Sequence, residues 1–342
     1  MLKWYEKTEG QHDVFVAQRI RLVRNIEHCN FPEKMSAQES RDLLEKMKQE
    51  FSDIRSVSDI EYDYYDIDSM DARSKSMLYE RRIINKALME KSEPAGILLA
   101  QDEASGIVMN GDDHIKLFEH SCSEALDELW AKADVLDDYI NSHFSYAYSE
   151  KYGYLTAFPT NVGTGMKASV IMHLPLLSGS RQFKTLFNEM GRFGITLKNV
   201  YAENGENFGS LYEISNQKTL GQTEEDIVEV VTKMANQLAD SERKLRSVAL
   251  RNHRVNIEDE VYKSYGVLKY ARKLTVKEAM TYLSHVRKGV LDGLISTEKP
   301  VNIFGIMMEI QSANLLGSHN SESEEPDALR AEYVRKHLPN LI

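Results

Sequence analysis

The sequence predicts an α+β fold, in which an antiparallel sheet flanked by helices is followed by a small all-helical domain. Its short β-rich runs are too few and too interrupted for a parallel βαβ array. From Thr223 onward, the apolar residues recur at helical spacing instead. We place the domain boundary near residue 254, which gives one large domain over residues 1–253 and a small helical domain over residues 254–342.

The predicted sheet depends on four short apolar runs. Runs of this length that contain β-branched residues are typical of buried strands. They are GILLA at 96–100, GIVMN at 106–110, ASVIMHL at 168–174 and LYEIS at 211–215. We interpret the tyrosine-rich segment Tyr62–Asp71 as amphipathic and partly buried.

Capping signals mark the two main predicted helices. Thr223 is followed three places later by Asp226, which resembles a capping box at the start of a helix that extends to about Asn252. Thr275 and Glu278 form the usual threonine and glutamate pair at the start of a second helix. Both threonines therefore predict helix N-termini.

The remaining C-terminal residues carry weaker signals. After His253, a strand-like apolar pattern returns only in a short stretch near Ile303. The acidic stretch Ser318–Pro326 predicts a solvated loop before a final short helix.

Composition argues against several classes of protein. The 42 basic and 53 acidic residues give a net charge of −11, which argues against a nucleic-acid binder. Cys29 and Cys122 lie far apart, so a disulfide framework is not expected and a reducing compartment is. No apolar run approaches the roughly 18 residues of a membrane span, and the N-terminus lacks the apolar core of a signal peptide. We therefore expect a cytoplasmic protein that binds no membrane and no nucleic acid.

A Gly/Thr/Asn loop interrupts two strand-like runs between Tyr152 and Pro175. Gly163 and Gly165 permit close approach of backbone N–H groups to an anion, and Lys167 adds a positive charge just beyond them. The short polar side chains of the same loop add hydrogen-bonding groups; they are Thr160, Asn161 and Thr164. The loop predicts an anion site, with an ordinary β-turn as the alternative.

The segment YGYLTAFPTNVGTGMKASVIMHLP, Tyr152–Pro175, resembles the signature of the phosphagen kinases, the ATP:guanidino phosphotransferases. Three further segments match that family in order and spacing: Arg19–Asn25, Asn110–Lys116, and Tyr201–Glu203 with Ile214–Gln217. Val261–Met280 and Asp327–Arg335 resemble the bacterial protein-arginine kinase branch. The resemblance covers nearly the whole chain and implies a phosphagen kinase catalytic domain followed by the helical domain.

The resemblance implies which residues handle the substrate guanidinium. In the family two carboxylates grip its nitrogens, and the matching positions here are Asp112 and Glu203. Such a pair orients the nitrogen toward the γ-phosphate and accepts a proton, which a guanidinium with a pKa above about 12 requires. The alternative is that Asp112 and Asp113 form a polar turn and that Glu203 is a solvated loop charge.

The resemblance also implies ATP and Mg²⁺, with cations around the triphosphate. Arg19 and Arg21 are kept, and their spacing places both side chains on one face of a strand. Three other family arginines are lysines in this chain: Lys116, Lys167 and Lys198. Arg82 is a further candidate contact for nucleotide or substrate. No residue set predicts a bound metal, since neither His114 nor His173 has a partner at metal-ligand spacing.

Several departures from the family pattern lie in these motifs. Phe158 replaces the signature cysteine, and Gly111 and Asp112 replace a glutamate pair, so the key carboxylate is one methylene shorter. Lysine keeps the charge of arginine but cannot form the bidentate hydrogen bonds of the planar guanidinium. The leading hypothesis is a protein-arginine kinase; the alternative is a catalytically weakened pseudokinase that acts as an ATP- or phosphoarginine-binding scaffold. A free-arginine or creatine kinase is a third interpretation, disfavoured by the order of the two domains.

The final helix carries a second candidate site. In the bacterial branch a motif here forms a phosphoarginine pocket, and the resemblance assigns Asp327, Arg330 and Arg335 to it. The opening arginine of that motif is Pro326, which suits a helix start but removes a phosphate donor. The alternative is solvated surface charge. The branch further implies arginine-bearing protein substrates, a zinc-binding adaptor, Clp-type protease machinery and a homodimer as partners.

Overall fold

A computed structural model describes residues 1–7, 13–203, 206–318 and 325–342, with the side chains of residues 202, 203 and 318 left out of the description. The chain divides into two compact units, and each contains several segments of the sequence. The first unit comprises Met1–Trp4, Gln18–Ser169 and Ser215–Thr232; the second comprises Tyr5–Ala17, Val170–Ile214 and Lys233–Ile342.

An eight-stranded sheet is the main β structure, and it confirms the predicted α+β class. The described strands are β1 Phe15–Arg24, β2 Tyr62–Asp66, β3 Gly96–Ala100, β4 Ser105–Met109, β5 Ile115–Ser121, β6 Tyr148–Ser149, β7 Gly153–Tyr154, β8 Met166–His173, β9 Ile195–Asn199, β10 Ala202–Glu203, β11 Glu206–Asn207 and β12 Leu211–Asn216. The sheet order is β2-β3-β4-β5-β1-β8-β12-β9, and β6-β7 and β10-β11 form separate two-stranded sheets. The pairs from β2 through β5 to β1 are antiparallel.

Helices make up most of the C-terminal region. The described helices are α1 Ala37–Glu50, α2 Ala72–Glu80, α3 Lys86–Glu90, α4 Leu126–His143, α5 Phe183–Arg192, α6 Glu224–Tyr270, α7 Val276–Leu291, α8 Ile303–Glu309, α9 Ser312–Ser318 and α10 Pro326–His337. Among the helices of the described residues, none has both the length and the apolar character that crossing a bilayer requires.

Both predicted capping signals are confirmed. Thr223 and Asp226 exchange hydrogen bonds at the start of α6, where the amide of each donates to the side chain of the other. Thr275 and Glu278 form the reciprocal capping box of α7. Helix α6 extends well beyond the predicted Asn252, with non-helical dihedral angles at His253 (φ −137°, ψ 29°). The domain boundary near residue 254 stays a prediction.

The strand-like interpretation near Ile303 is wrong, because this stretch forms the short helix α8. Asn302 caps it by accepting the amide of Gly305 at 2.8 Å. Every residue of α8 is buried, so its continuous apolar run reflects burial on all sides rather than strand periodicity. Most of the predicted acidic loop, residues 319–324, lies outside the described residues.

In the first unit, an apolar cluster covers one face of β3, β4 and β5. It includes Ile97, Val108 and Phe118 from the strands, with Ile83 and Leu88 from the α2–α3 region. The predicted partly buried tyrosine segment begins as the strand β2 beside β3. This packing holds the α2–α3 segment against the strands that carry the candidate site.

In the second unit, buried polar groups find partners within the unit. Glu242 accepts the amides of Leu176 and Leu177 at 3.2 and 2.7 Å. His173 pairs with Ser284 at 2.7 Å and with Arg287 at 3.0 Å, and burial together with Arg287 holds its pKa well below the usual value. These pairings satisfy groups whose burial alone would destabilise the fold.

Candidate active site

Three of the candidate phosphate-binding residues lie on one face of neighbouring strands. Arg19 and Arg21 are two places apart on β1, so both side chains lie on the same face. Across the antiparallel pair, Arg19 lies opposite His120 and Arg21 lies opposite Phe118 of β5. Lys116, four places before His120 on β5, shares that face. The structure therefore brings Arg19, Arg21 and Lys116 onto one face, and their role in binding phosphate stays a prediction.

The charges of this face act on one another. Burial is the main cause that lowers the pKa of Lys116 to about 7, and the charges of Arg21 and Arg19 lower it further. The carboxylates of Asp112 and Asp113 offset part of this decrease. Such a shift reflects like charges held close together in a poorly solvated place. We call Arg19, Arg21, Arg82 and Lys116 the cationic cluster.

His120 shows that Arg82 belongs to this cluster. Burial lowers the pKa of His120 well below its usual value, and Arg19, Arg82 and Lys116 lower it further. Arg82 has a left-handed backbone (φ 65°) at the end of α2. A neutral imidazole beside several cations leaves the positive charge of the site intact, which suits a polyanionic ligand.

The β4–β5 turn carries Asp112 and Asp113, which have different environments. Asp113 is buried, and its Oδ1 accepts from Asn25 Nδ2 and from the Ala157 amide, both at 2.7 Å. Burial is the main reason that its pKa is raised. Asp112 is only partly buried, and its Oδ2 accepts from Asn85 Nδ2 at 2.8 Å. Asp113 fixes the turn, while Asp112 remains in reach of a ligand.

Lys91 and His114 support the same turn. Lys91 Nζ donates to the carbonyls of Asn110 and Gly111 at 2.7 and 3.0 Å. His114 accepts the Ile26 amide through Nδ1 at 3.0 Å, so Nε2 carries the proton toward the Asn30 carbonyl. Burial is the largest contribution that lowers the pKa of His114 to about 4. Sequence reasoning missed Asn25, Asn85 and Lys91, because their partners are distant in sequence.

The Gly-rich loop packs differently from the prediction. The Gly163 amide donates to the Tyr154 carbonyl at 3.3 Å, so the expectation that it faces an anion is wrong. Gly165 has φ 64°, and a Cβ atom there would lie 2.6 Å from the Val23 carbonyl oxygen. These glycines permit close packing of backbone on backbone. Lys167, just beyond the loop, donates to the Asn216 carbonyl at 2.7 Å.

A buried ion pair anchors this loop to β1 and α4. Arg24 is 1% exposed, and its Nε and Nη2 donate to Asp137 Oδ2 at 3.1 and 2.6 Å. Its Nη1 donates to the Thr164 carbonyl at 2.8 Å. Tyr146 donates to the other oxygen of Asp137 at 2.9 Å. This pairing could not be predicted from the sequence, because Arg24 and Asp137 are far apart along the chain.

Two residues predicted to take part in the phosphoryl transfer, Lys198 and Glu203, belong to the second unit. Lys198 is an exposed residue of β9. Glu203 ends β10, where its backbone pairs with Glu206 of β11. The side chain of Glu203 lies outside what the structure describes. Its assignment to the guanidinium stays a prediction.

The candidate phosphoarginine residues lie on α10. Arg330 is 1% exposed, and it donates to the carbonyls of Ile310 and Leu274 at 3.0 and 2.8 Å and pairs with Asp327. Arg335 donates to the Ala271 carbonyl. The structure thus places Arg330 in the interior instead of among solvated surface charges. Its part in a phosphoarginine pocket stays a prediction.

The fold and this site define the class of the protein. Residues 42–245 match the family model of the ATP:guanido phosphotransferase C-terminal catalytic domain. The chain belongs to the ATP:guanidino phosphotransferase family. Residues 254–341 also match the model of the protein-arginine kinase McsB C-terminal domain.

Relatives similar over the full length share one name. The chain is 34% identical to a protein-arginine kinase of Caldanaerobacter subterraneus, over 95% of this chain and 97% of the relative. It is 33% identical to the protein-arginine kinase of Bacillus subtilis, over 98% and 93% of the two chains. A solved lombricine kinase is 19% identical with a TM-score of 0.59 over 72% of each chain, which shows the fold. The predicted family and guanidino phosphotransferase class are confirmed.

Lys116 should give nucleotide binding a distinctive pH dependence. Because its pKa is about 7, the free protein loses this charge as the pH rises, and binding a polyanion then requires proton uptake. We expect the Kd for ATP to rise by up to about tenfold per pH unit above about pH 7. The Kd for ATP at each pH is measured by equilibrium dialysis at saturating Mg²⁺. In Lys116→Arg the charge persists and this rise should vanish; an unchanged pH profile would contradict the assignment.

Proposed function

We propose that this chain is a protein-arginine kinase that transfers the γ-phosphate of ATP to guanidinium groups of protein arginines. The observation that carries the proposal is the cationic cluster, with Arg19, Arg21 and Lys116 on one face of β1 and β5 and with Asp112 close enough to act on Lys116. The shared name of the full-length relatives supports protein arginine as the substrate.

The cationic cluster would hold the triphosphate, with Lys167 and Lys198 as further contacts. Arginine binds phosphate oxygens in pairs, and lysine adds a point charge. The concentration of positive charge fits ATP, while Mg²⁺ would neutralise phosphate charge in the usual way for phosphoryl transfer. We propose ATP with Mg²⁺, the metal bound mainly through the nucleotide.

Asp112 and Glu203 would hold the guanidinium. Charge-assisted hydrogen bonds from the guanidinium to the carboxylates fix the attacking nitrogen in line with the γ-phosphate. One carboxylate accepts the proton that the nitrogen releases as the N–P bond forms and the bond from the γ-phosphorus to the β-phosphate oxygen breaks, with ADP as the leaving group. Asn85 donates to Asp112 and so limits the positions that its carboxylate can take.

The wider biological setting is also proposed. It comprises a cytoplasmic location, a homodimer, a zinc-binding adaptor and a link to Clp-type proteases. We further propose that the C-terminal residues 254–342 act as a regulatory domain, with Asp327, Arg330 and Arg335 contributing to phosphoarginine recognition. The match of residues 254–341 to the McsB C-terminal domain supports this division.

The test compares protein arginine with free guanidines. The chain is incubated with Mg-ATP and unfolded casein, free arginine or creatine, and phosphoarginine or phosphocreatine is measured by mass spectrometry without acid. The expected result is phosphoarginine in casein and little product from the free compounds. Phosphorylated free arginine or creatine with unmodified casein would overturn the choice of substrate.

A further inference from the structure

A cleft lies where the β6–β7 hairpin meets the start of α6. Its volume is about 370 Å³, and Tyr148, Tyr152, Tyr154 and Glu224 are among its lining residues. All of them belong to the first unit. No residue of the cationic cluster lines this cleft within the described part of the chain. The nucleotide chemistry proposed above therefore leaves it without a role.

The walls of the cleft are aromatic and already bind cations. Tyr148 and Tyr152 are 58% and 46% exposed. Lys151 Nζ lies 4.9 Å from the centre of the Tyr152 ring, and the guanidinium carbon of Arg24 lies 3.7 Å from the centre of Tyr154. Aromatic faces attract cations, and the planar guanidinium stacks on them especially well. The exposed rings therefore suit a further cation.

Among the described residues that line the cleft, Glu224 supplies the one carboxylate, and Lys151 supplies a cation. Glu224 is partly buried, and it forms no ion pair among the residues that the structure describes. Burial raises its pKa, while a hydrogen bond from its own backbone amide and the charge of Arg24 lower it in part. The reciprocal bonds of Thr223 and Asp226 already use amides at this helix N-terminus, which disfavours an anionic ligand.

We propose that this cleft binds an arginine side chain of a client protein, separate from the arginine that is phosphorylated. The guanidinium would stack on Tyr148 or Tyr152 and donate to Glu224. Lysine would bind less well, because it lacks the planar fork. The net charge of −11 favours such basic clients in general. This inference rests on the proposed function for the identity of the client.

The cleft lies near the turn that carries Asp112. The Ala157 amide donates to Asp113, and Ala157 is three residues from Tyr154. Three residues span at most about 11 Å between Cα atoms. One extended client segment can therefore present one arginine to Asp112 and another to the cleft, so that the second contact raises the affinity for arginine-rich segments.

The test uses an unstructured peptide with two arginines and a matched peptide in which lysine replaces one of these arginines. Without ATP, the ring signals of Tyr148 and Tyr152 are followed by NMR in the full chain labelled with ¹³C-tyrosine, and the affinities are measured by fluorescence anisotropy. We expect the two-arginine peptide to shift both signals. Glu224→Gln should weaken its binding about tenfold. Glu225→Gln, a change at the exposed neighbouring residue, should leave it unchanged, and Glu224→Gln should weaken the one-arginine peptide less than the two-arginine peptide.

Equal effects of Glu224→Gln and Glu225→Gln, or peptide binding that leaves the tyrosine signals in place, would overturn the proposal. A shift caused by ATP instead of peptide would overturn it as well, by making the cleft a nucleotide subsite. Binding here is measured without phosphoryl transfer, so the two proposals fail separately. If the chain shows no kinase activity, peptide binding to the cleft can still be measured. If the cleft does not distinguish arginine from lysine, the proposed kinase function is unaffected.

Discussion

Asp112→Asn is expected to lower kcat for arginine phosphorylation by at least about 100-fold, while the protein stays folded. Asparagine keeps the size of the side chain and a carbonyl oxygen for the Asn85 hydrogen bond. It removes the negative charge that pairs with the guanidinium and can take up its proton. The measurement is the initial rate of phosphoarginine formation with saturating Mg-ATP, beside a thermal unfolding curve of each variant.

Asp112→Glu is the matched comparison. It retains the carboxylate and adds the methylene that the family pattern has at this position. We expect it to keep far more activity than Asp112→Asn, because charge and proton acceptance persist. Equal rates for wild type and Asp112→Asn would show that Asp112 takes no part in the transfer, and the guanidinium assignment would then be wrong.

Arg24→Met is expected to cause the largest loss of stability. It leaves Asp137 without its buried partner and removes the hydrogen bond to the Thr164 carbonyl of the Gly-rich loop. Breaking one side of a buried ion pair costs about 3–5 kcal/mol, since the remaining charge is uncompensated. Urea unfolding measures the free energy of unfolding.

The control adds Asp137→Asn to Arg24→Met. Asparagine removes the uncompensated charge and still offers an acceptor to Tyr146. We expect the double variant to be more stable than Arg24→Met alone. If Arg24→Met leaves the unfolding free energy unchanged, the pair does not anchor the loop in the way that its geometry indicates.

The sequence allowed prediction of those parts of the fold that depend on local pattern. The capping residues Thr223 and Thr275 act on amides three places away, so their effect is visible in a short window. Strand runs such as residues 96–100 are visible for the same reason. The stretch at Ile303 was misinterpreted because periodicity cannot separate a fully buried helix from a buried strand.

The residues of the candidate site also fall into two groups: those that spacing or family resemblance predicts, and those that only the folded structure reveals. The spacing of Arg19 and Arg21 predicts a shared face directly, and resemblance to the family supplied Lys116 and Asp112. The groups that hold Asp112 and Asp113 in place, Asn25 and Asn85, remained hidden, because each acts through a contact that only the folded chain creates. Tertiary hydrogen bonds leave no periodic trace in a sequence.

The most direct test of the central claim is arginine phosphorylation of unfolded casein by this chain and by Glu203→Ala. Products are identified by mass spectrometry under non-acidic conditions with Mg-ATP, after ATP binding and folding of both proteins have been checked. The account predicts phosphoarginine with the wild-type chain and its loss in Glu203→Ala. A folded, ATP-binding wild-type chain that forms no phosphoarginine would contradict the account.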